Sequence, residues 1–169
     1  MDREQIIIVD ENDNPIGFKD RDELDYGKDI YRVSALWLTN SKGYILLAQR
    51  STKKTRGPGL WGPAAEGTVD INESYEDCII REAREELGLI NLKFESGQKI
   101  FRDGTRKYFR QLFRANIDKD VAEFQLQEEE VDRAKWISPQ ELVQDVRANP
   151  DKYVSSMPQI LETFNLINK

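Results

Sequence analysis

No histidine occurs anywhere in the 169 residues. Imidazole is therefore excluded both as a general base and as a metal ligand, which leaves carboxylates as the donors for any metal the chain holds. Cysteine is nearly missing as well. Cys78 stands alone, so no intrachain disulfide can form, and its place inside a helical segment favours packing over reactivity. No run approaches the ~18 apolar residues of a membrane span, and the acidic start MDREQ is not a signal peptide. A cytoplasmic location and no membrane partner are expected. Positive charge is not in excess either. A net charge of −6 argues against bulk nucleic-acid binding, which rests on a basic surface that neutralises phosphates.

What is present reads as one domain over residues 1–169, with 33% charged and 38% hydrophobic residues and no repeat or linker. Residues 5–9 (QIIIV) predict a short strand. The turn ENDNPIG returns the chain to a second extended piece at Ile16 to Phe18, and together these form a short N-terminal β extension. YRVSALWL (31–38) and YILLAQ (44–49) predict a hairpin around Asn40 to Gly43. Segments 91–101 and 107–117 predict another, turning at Asp103-Gly104. Lys135-Trp136-Ile137 predicts a strand that leads into a helix announced by Ser138, Pro139 and Glu141, and a last amphipathic helix spans about 157–167. The fold class is α+β.

The chemistry concentrates in residues 67–89, GTVDINESYEDCIIREAREELGL. On a helix over 73–87, Glu82, Glu85 and Glu86 fall within an arc of about 100°. Like charges so placed repel unless a cation lies among them, and clustered hard oxygens suit Mg2+ or Mn2+. Ile80, Ala83 and Leu87 form an apolar stripe on another arc. Arg81 lies one turn from Asp77 and Glu85, Asn72 is the expected N-cap, and Gly88 the expected left-handed C-cap. Positive charge gathers in two stretches, Arg50, Lys53, Lys54 and Arg56 before this segment, and Arg102, Arg106, Lys107, Arg110 and Arg114 after it. Both suit a di- or triphosphate. Tyr26, Tyr31, Trp37, Trp61, Tyr108, Phe109 and Phe113 are candidates to stack a base, or to fill the core.

The segment fits G-x5-E-x7-R-E-U-x-E-E-x-G-U, with U aliphatic, at every fixed position: Gly67, Glu73, Arg81, Glu82, Ala83, Glu85, Glu86, Gly88 and Leu89. A chance match is about a one in 10^5 event. The chain thus resembles a Nudix hydrolase. The resemblance implies a mixed β-sheet sandwiched between helices (α/β/α) and hydrolysis of a phosphoanhydride in a small-molecule diphosphate. It casts Glu82, Glu85, Glu86 and the Gly67 carbonyl as metal ligands, Glu82 or Glu85 as the group that activates water, and the later QEEEV loop as the source of a further ligand or base, with Glu130 favoured over Glu129 and Glu128. Arg81 and Glu73 would brace the loop and helix, and Gly88 would end the helix. VDENDNPIG, YRVSALWL, LLAQRSTKK and PGLWGPAAEGTV further resemble the isopentenyl-diphosphate isomerase branch. There Arg50 and Lys54 match the positions that hold the diphosphate, and Trp61 a tryptophan beside the site. The isomerase's metal-binding histidines and catalytic cysteine correspond to Tyr31, Thr68 and Glu66, so isomerase chemistry is not expected, while the box is complete. Nucleoside di- and triphosphates are the first expected substrates. Dinucleotides, nucleotide sugars and isoprenoid diphosphates stay open, as do a non-catalytic binding role and a homodimer.

Overall fold

The computed structural model describes residues 4–168. Along the chain run β1 (Gln5–Val9), β2 (Pro15–Asp20), β3 (Ile30–Thr39), β4 (Ile45–Arg50), β5 (Trp61–Gly62), β6 (Ala65–Thr68), α1 (Tyr75–Leu87), β7 (Glu95–Asp103), β8 (Lys107–Asn116), β9 (Val131–Ile137), α2 (Pro139–Ala148) and α3 (Met157–Thr163). All nine strands belong to one mixed sheet. Its spine is β3, a run of β-branched, aromatic and aliphatic residues that is buried over most of its length, as a central strand must be. One edge of β3 pairs in parallel with β8 from Ile30↔Lys107 to Thr39↔Asn116. The other edge is shared by β1, by β6 (Val33↔Thr68 to Leu36↔Ala65) and by β4.

That sharing corrects the first expected hairpin. The turn at Asn40 to Gly43 forms, but β3 and β4 stay together only at Thr39↔Ile45. Beyond that pair β4 diverges to β9 and β5, because β6 claims the edge of β3 that a hairpin would have used. The second hairpin forms as expected, β7 against β8, and so does the N-terminal one, β1 against β2.

Alternation along the strands sorts the core into two layers. Leu36, Leu38 and Leu46 pack with Cys78, Ile79, Ala83 and Leu87 of α1, whereas Trp37, Ile45 and Leu47 pack with Leu142, Met157, Ile160 and Leu161 of α2 and α3. Successive residues therefore face opposite helices, which is the α/β/α arrangement. Each buried leucine contributes about 1.5–3 kcal/mol.

Two details of α1 differ from expectation. Its N-cap is Ser74, not Asn72: the Ser74 hydroxyl accepts from the Asp77 N–H while the Asp77 carboxylate accepts from the Ser74 N–H. Glu73 is left ahead of the helix, where its side chain can turn toward Arg81. The apolar stripe runs through Tyr75, Ile79, Ala83 and Leu87, and Ile80, one step of about 100° round the helix, is half exposed. Gly88 ends the helix in the left-handed conformation (φ 68°), as expected. The last helix stops at Thr163, short of the expected 167, and Phe164 then stacks on Trp37 with ring centroids 4.6 Å apart. Among the described residues no helix is long and apolar enough to cross a membrane.

Candidate active site

β6 and α1 meet at Gly67, and the contact is possible only because that residue has no side chain. A Cβ there would stand 1.8 Å from Glu82 Oε1, so the Glu82 carboxylate occupies the space a larger residue would fill. Arg81 holds the arrangement from the other side. Its Nε and Nη2 grip the two Glu73 oxygens at 2.6 and 2.9 Å, Nη2 also donates to the Thr68 carbonyl at 3.3 Å, and Nη1 donates to Glu82 Oε1 at 2.6 Å. One guanidinium thereby ties the loop before α1, the end of β6 and a helix carboxylate together. The Glu73 hydrogen bond is the main reason that Arg81 binds its proton more tightly than usual.

The carboxylates of the helix do not share one environment. Glu85 is the most exposed, with Arg81 Nη1 at 3.5 Å. Glu82 is largely buried, and burial raises its pKa against the opposing pull of Arg81. Glu86 turns inward, accepts the Glu66 N–H at 3.2 Å, and is pushed well above the usual carboxylate range by burial and then by Glu82.

Glu130 borders the same cavity from the loop before β9, which donates to the end of α1 through the Gln125 and Gln127 N–H groups. Ser51 fastens its loop to the end of β4, the Ser51 N–H donating to the Glu130 carbonyl at 2.9 Å and its hydroxyl to the Glu128 carbonyl at 2.9 Å. The Lys54 ammonium then donates to Glu130 Oε2. Arg50 lies beside them, its Nε donating to the Arg56 carbonyl at 3.1 Å, which shapes the 51–60 loop around Gly57 and Gly59, both at positive φ. Glu129 by contrast pairs with Lys53 in solvent.

Among the described residues no three acidic side chains stand close enough to cage an ion as they are placed. Arg81 supplies positive charge against Glu82 instead. The donor set still fits a hard divalent cation in kind. Glu66, Glu86 and Glu130 border a cavity of about 30 Å³, and Glu82 is brought against Gly67 by the close approach just described.

Glu82, Glu85, Arg50, Lys54 and Glu130 all border one large cavity of about 1070 Å³. Its floor is the sheet face opposite α1, where Tyr31 and Val33 of β3 lie beside Tyr108 and Arg110 of β8. Burial pushes the Tyr31 phenol up to about 12. Arg102, Arg106 and Arg110 of the second basic stretch border the cavity, whereas Arg114 lies over the Phe164 ring and Lys107 pairs with Asp103. Glu66 and Thr68, two of the positions where the isomerase branch differs, also line it.

Trp61 does not border the cavity. It packs in the second core layer with Lys135 Nζ 4.4 Å from its ring centroid. Of the aromatic candidates only Tyr31 and Tyr108 line the space, while Trp37, Phe109 and Phe113 are core. Sequence reasoning missed Arg21 and the wall formed by Tyr153 to Ser156. No motif marks either, since both depend on how distant loops fold back over the sheet.

The NUDIX domain matches this chain over residues 29–163, and the chain belongs to that family. It is a Nudix-type pyrophosphohydrolase by that membership. It is 35% identical over 160 residues to a prenyl-diphosphate phosphatase of Methanosarcina mazei, covering 92% of each chain. It is 28% identical over 161 residues to an isopentenyl-diphosphate isomerase of Aromatoleum aromaticum, covering 89% of this chain and 80% of the other. In fold it is similar to a Deinococcus radiodurans protein of known crystal structure, with a TM-score of 0.83 at 22% identity over 98% of this chain and 100% of that one.

Proposed function

We propose that this chain is a divalent-cation-dependent hydrolase, using Mg2+ or Mn2+, that cleaves a phosphoanhydride bond by water attack on phosphorus. The substrate is a nucleoside di- or triphosphate or another nucleoside diphosphate derivative. The observation that carries the reading is that Glu82, Glu85 and Glu130 border a single cavity together with Arg50 and Lys54.

Glu82, Glu85, Glu86 and Glu130, with the Gly67 carbonyl, hold the cation. When bound it offsets charge on the phosphate oxygens. Arg50 and Lys54 bind and orient the diphosphate. Glu82 or Glu85 orients the attacking water and takes its proton, burial raising the pKa of Glu82. Arg81 and Glu73 keep the helix and loop in register, and Gly88 closes the helix.

A second reading places an isoprenoid group on the diphosphate, and the Methanosarcina mazei relative supports it. Its weakness is the arginine-rich lining of the cavity, which suits a polar substituent better than a hydrocarbon. Release of phosphate and pyrophosphate should be followed with Mg2+ or Mn2+ over nucleotides, dinucleotides, nucleotide sugars and isoprenoid diphosphates. Metal-dependent turnover that Glu85→Gln abolishes is expected; binding without turnover in the parent chain would point to a non-catalytic module.

A further inference from the structure

Among the described residues, Arg50, Arg56, Arg102 and Arg106 border the large cavity with no carboxylate within ion-pair distance. The exposed Asp22 and Asp151 also line it and pair with none of the four. Arg50 serves the diphosphate end. The other three come from separate segments: Arg56 from the β4–β5 loop, Arg102 from β7, and Arg106 from the β7–β8 turn.

Their side chains are held rather than free. The Arg56 and Arg106 guanidiniums both lie against the Tyr26 ring, 4.1 and 5.0 Å from its centroid. Arg102 Nη2 donates to the Ser155 carbonyl at 3.3 Å and hydroxyl at 3.2 Å. Behind them Arg110 is only 2% exposed. Its Nη2 donates to Ser156 Oγ at 3.0 Å and lies 2.8 Å from Glu66 Oε2, yet its Nε and that Glu66 oxygen have no hydrogen-bond partner. Of these four guanidiniums only Arg110 is in ion-pair contact with a carboxylate among the described residues, which leaves a concentration of like charge that an anion would relieve.

Arg102 is set apart from the Gly67–Glu82 contact, while Arg56 adjoins Arg50 through its carbonyl and Arg110 reaches Glu66. Arg102 of β7 pairs with Tyr108, and Tyr108 with Tyr31 of β3, so these three stand in one row across the sheet. Gly67 pairs with Ser34. Tyr31 and Ser34 are three residues apart on β3, about 10 Å at the rise of an extended strand.

The geometry points to a second anion subsite, formed by Arg56, Arg102 and Arg106 and backed by Arg110, that takes a phosphate or carboxylate of the substrate remote from the scissile diphosphate. The preferred substrate is then a diphosphate whose other end is itself anionic, such as a nucleotide or sugar with an additional phosphate. This rests on the reading of the carboxylate end as the hydrolytic centre.

The test compares ADP with adenosine 3′-phosphate 5′-diphosphate, which differ only in the 3′-phosphate. With Mg2+ the added phosphate is expected to lower KM about tenfold, the effect of one good charge-assisted contact. That ratio is expected to fall to about one in both Arg106→Ala and Arg56→Ala, each checked for folding by thermal melting. Equal KM values for the pair, or a ratio that survives both substitutions, would overturn the proposal. Binding of the same pair to Glu85→Gln, measured by calorimetry, keeps the subsite testable without turnover. A Kd advantage for the 3′-phosphate there supports the subsite even if the hydrolase reading fails, whereas equal affinities or no binding of either would overturn it.

Discussion

The Glu82 carboxylate lies against the α-carbon of Gly67, with Oε1 1.8 Å from the point a Cβ would occupy. β6 cannot retreat, since Val33↔Thr68, Ser34↔Gly67 and Ala35↔Glu66 fix it to β3. In Gly67→Ala the methyl must therefore displace Glu82 rather than the strand. Turnover should fall by about 100-fold or more, because small misplacements of a reacting group are costly. Stability should fall by about 1–3 kcal/mol through overpacking. Steady-state kinetics with urea unfolding would check both, and a variant of ordinary activity would mean that Glu82 is not needed where it stands.

Arg81 and Glu85 should separate under substitution. Glu85 is exposed and makes one long contact, so Glu85→Gln should change stability by no more than about 0.5 kcal/mol. Its turnover should nevertheless drop about 100- to 10,000-fold. Arg81→Lys breaks the two-pronged grip on Glu73 and leaves Glu82 without its partner. It should lose about 1–3 kcal/mol as well as activity. Urea titrations beside turnover assays decide the matter: Arg81→Lys as stable as the parent would show that the bracing contacts carry little.

Asp13, at the tip of the β1–β2 hairpin, fastens that hairpin to the body. Its carboxylate accepts from Arg32 Nε at 2.7 Å and from the Tyr75 hydroxyl at 3.1 Å, and also pairs with Lys99. Burial pushes its pKa up, but hydrogen bonds and charge from Lys99 and Arg32 outweigh this, and the net shift is below 3.8. A lowered carboxyl pKa means that the unfolded chain binds more protons, so stability rises with pH through that window. The contribution is present above about pH 3.8 and is lost as pH falls through the lower folded value. Asp13→Asn, which tolerates the positive φ of 64°, should cost about 2 kcal/mol at neutral pH. The gap to the parent should narrow below pH 3.8. Denaturation across pH tests this, and a gap that does not change with pH would remove the charge from the account.

Local rules carried much of this structure into the sequence. The strand at QIIIV, the Ser138 capping box, the Gly88 cap and the second hairpin each follow from residues close together in the chain. What was not legible was competition between distant partners. β6 takes the edge of β3 that the hairpin rule gave to β4, and Ile79 rather than Ile80 faces the sheet. The site divides in the same way. Glu82, Glu85 and Arg81 sit on one helix and were readable from spacing, while the arrival of Glu130 depends on Ser51 holding the far loop by its backbone. The inward turn of Glu86 likewise depends on the Glu66 N–H.

The proposed cation ligands are Glu82, Glu85, Glu86 and Glu130, and burial disfavours charge on Glu82 and Glu86, so an ion bound by them would stabilise the folded chain more than the unfolded one. Adding Mg2+ or Mn2+ at 100 times its dissociation constant should stabilise the protein by about 2.7 kcal/mol, seen as a rise in Tm that a chelator reverses. Glu82 is one of the proposed ligands, with Arg81 Nη1 on its Oε1. The shift should therefore shrink sharply in Glu82→Gln, which weakens the ion's hold, and persist in Lys53→Ala, whose ammonium pairs with Glu129 in solvent away from the cavity. Chelation should abolish turnover in parallel with the shift. A Tm indifferent to divalent ions, with turnover unaffected by chelator, would overturn the assignment of these carboxylates as ligands.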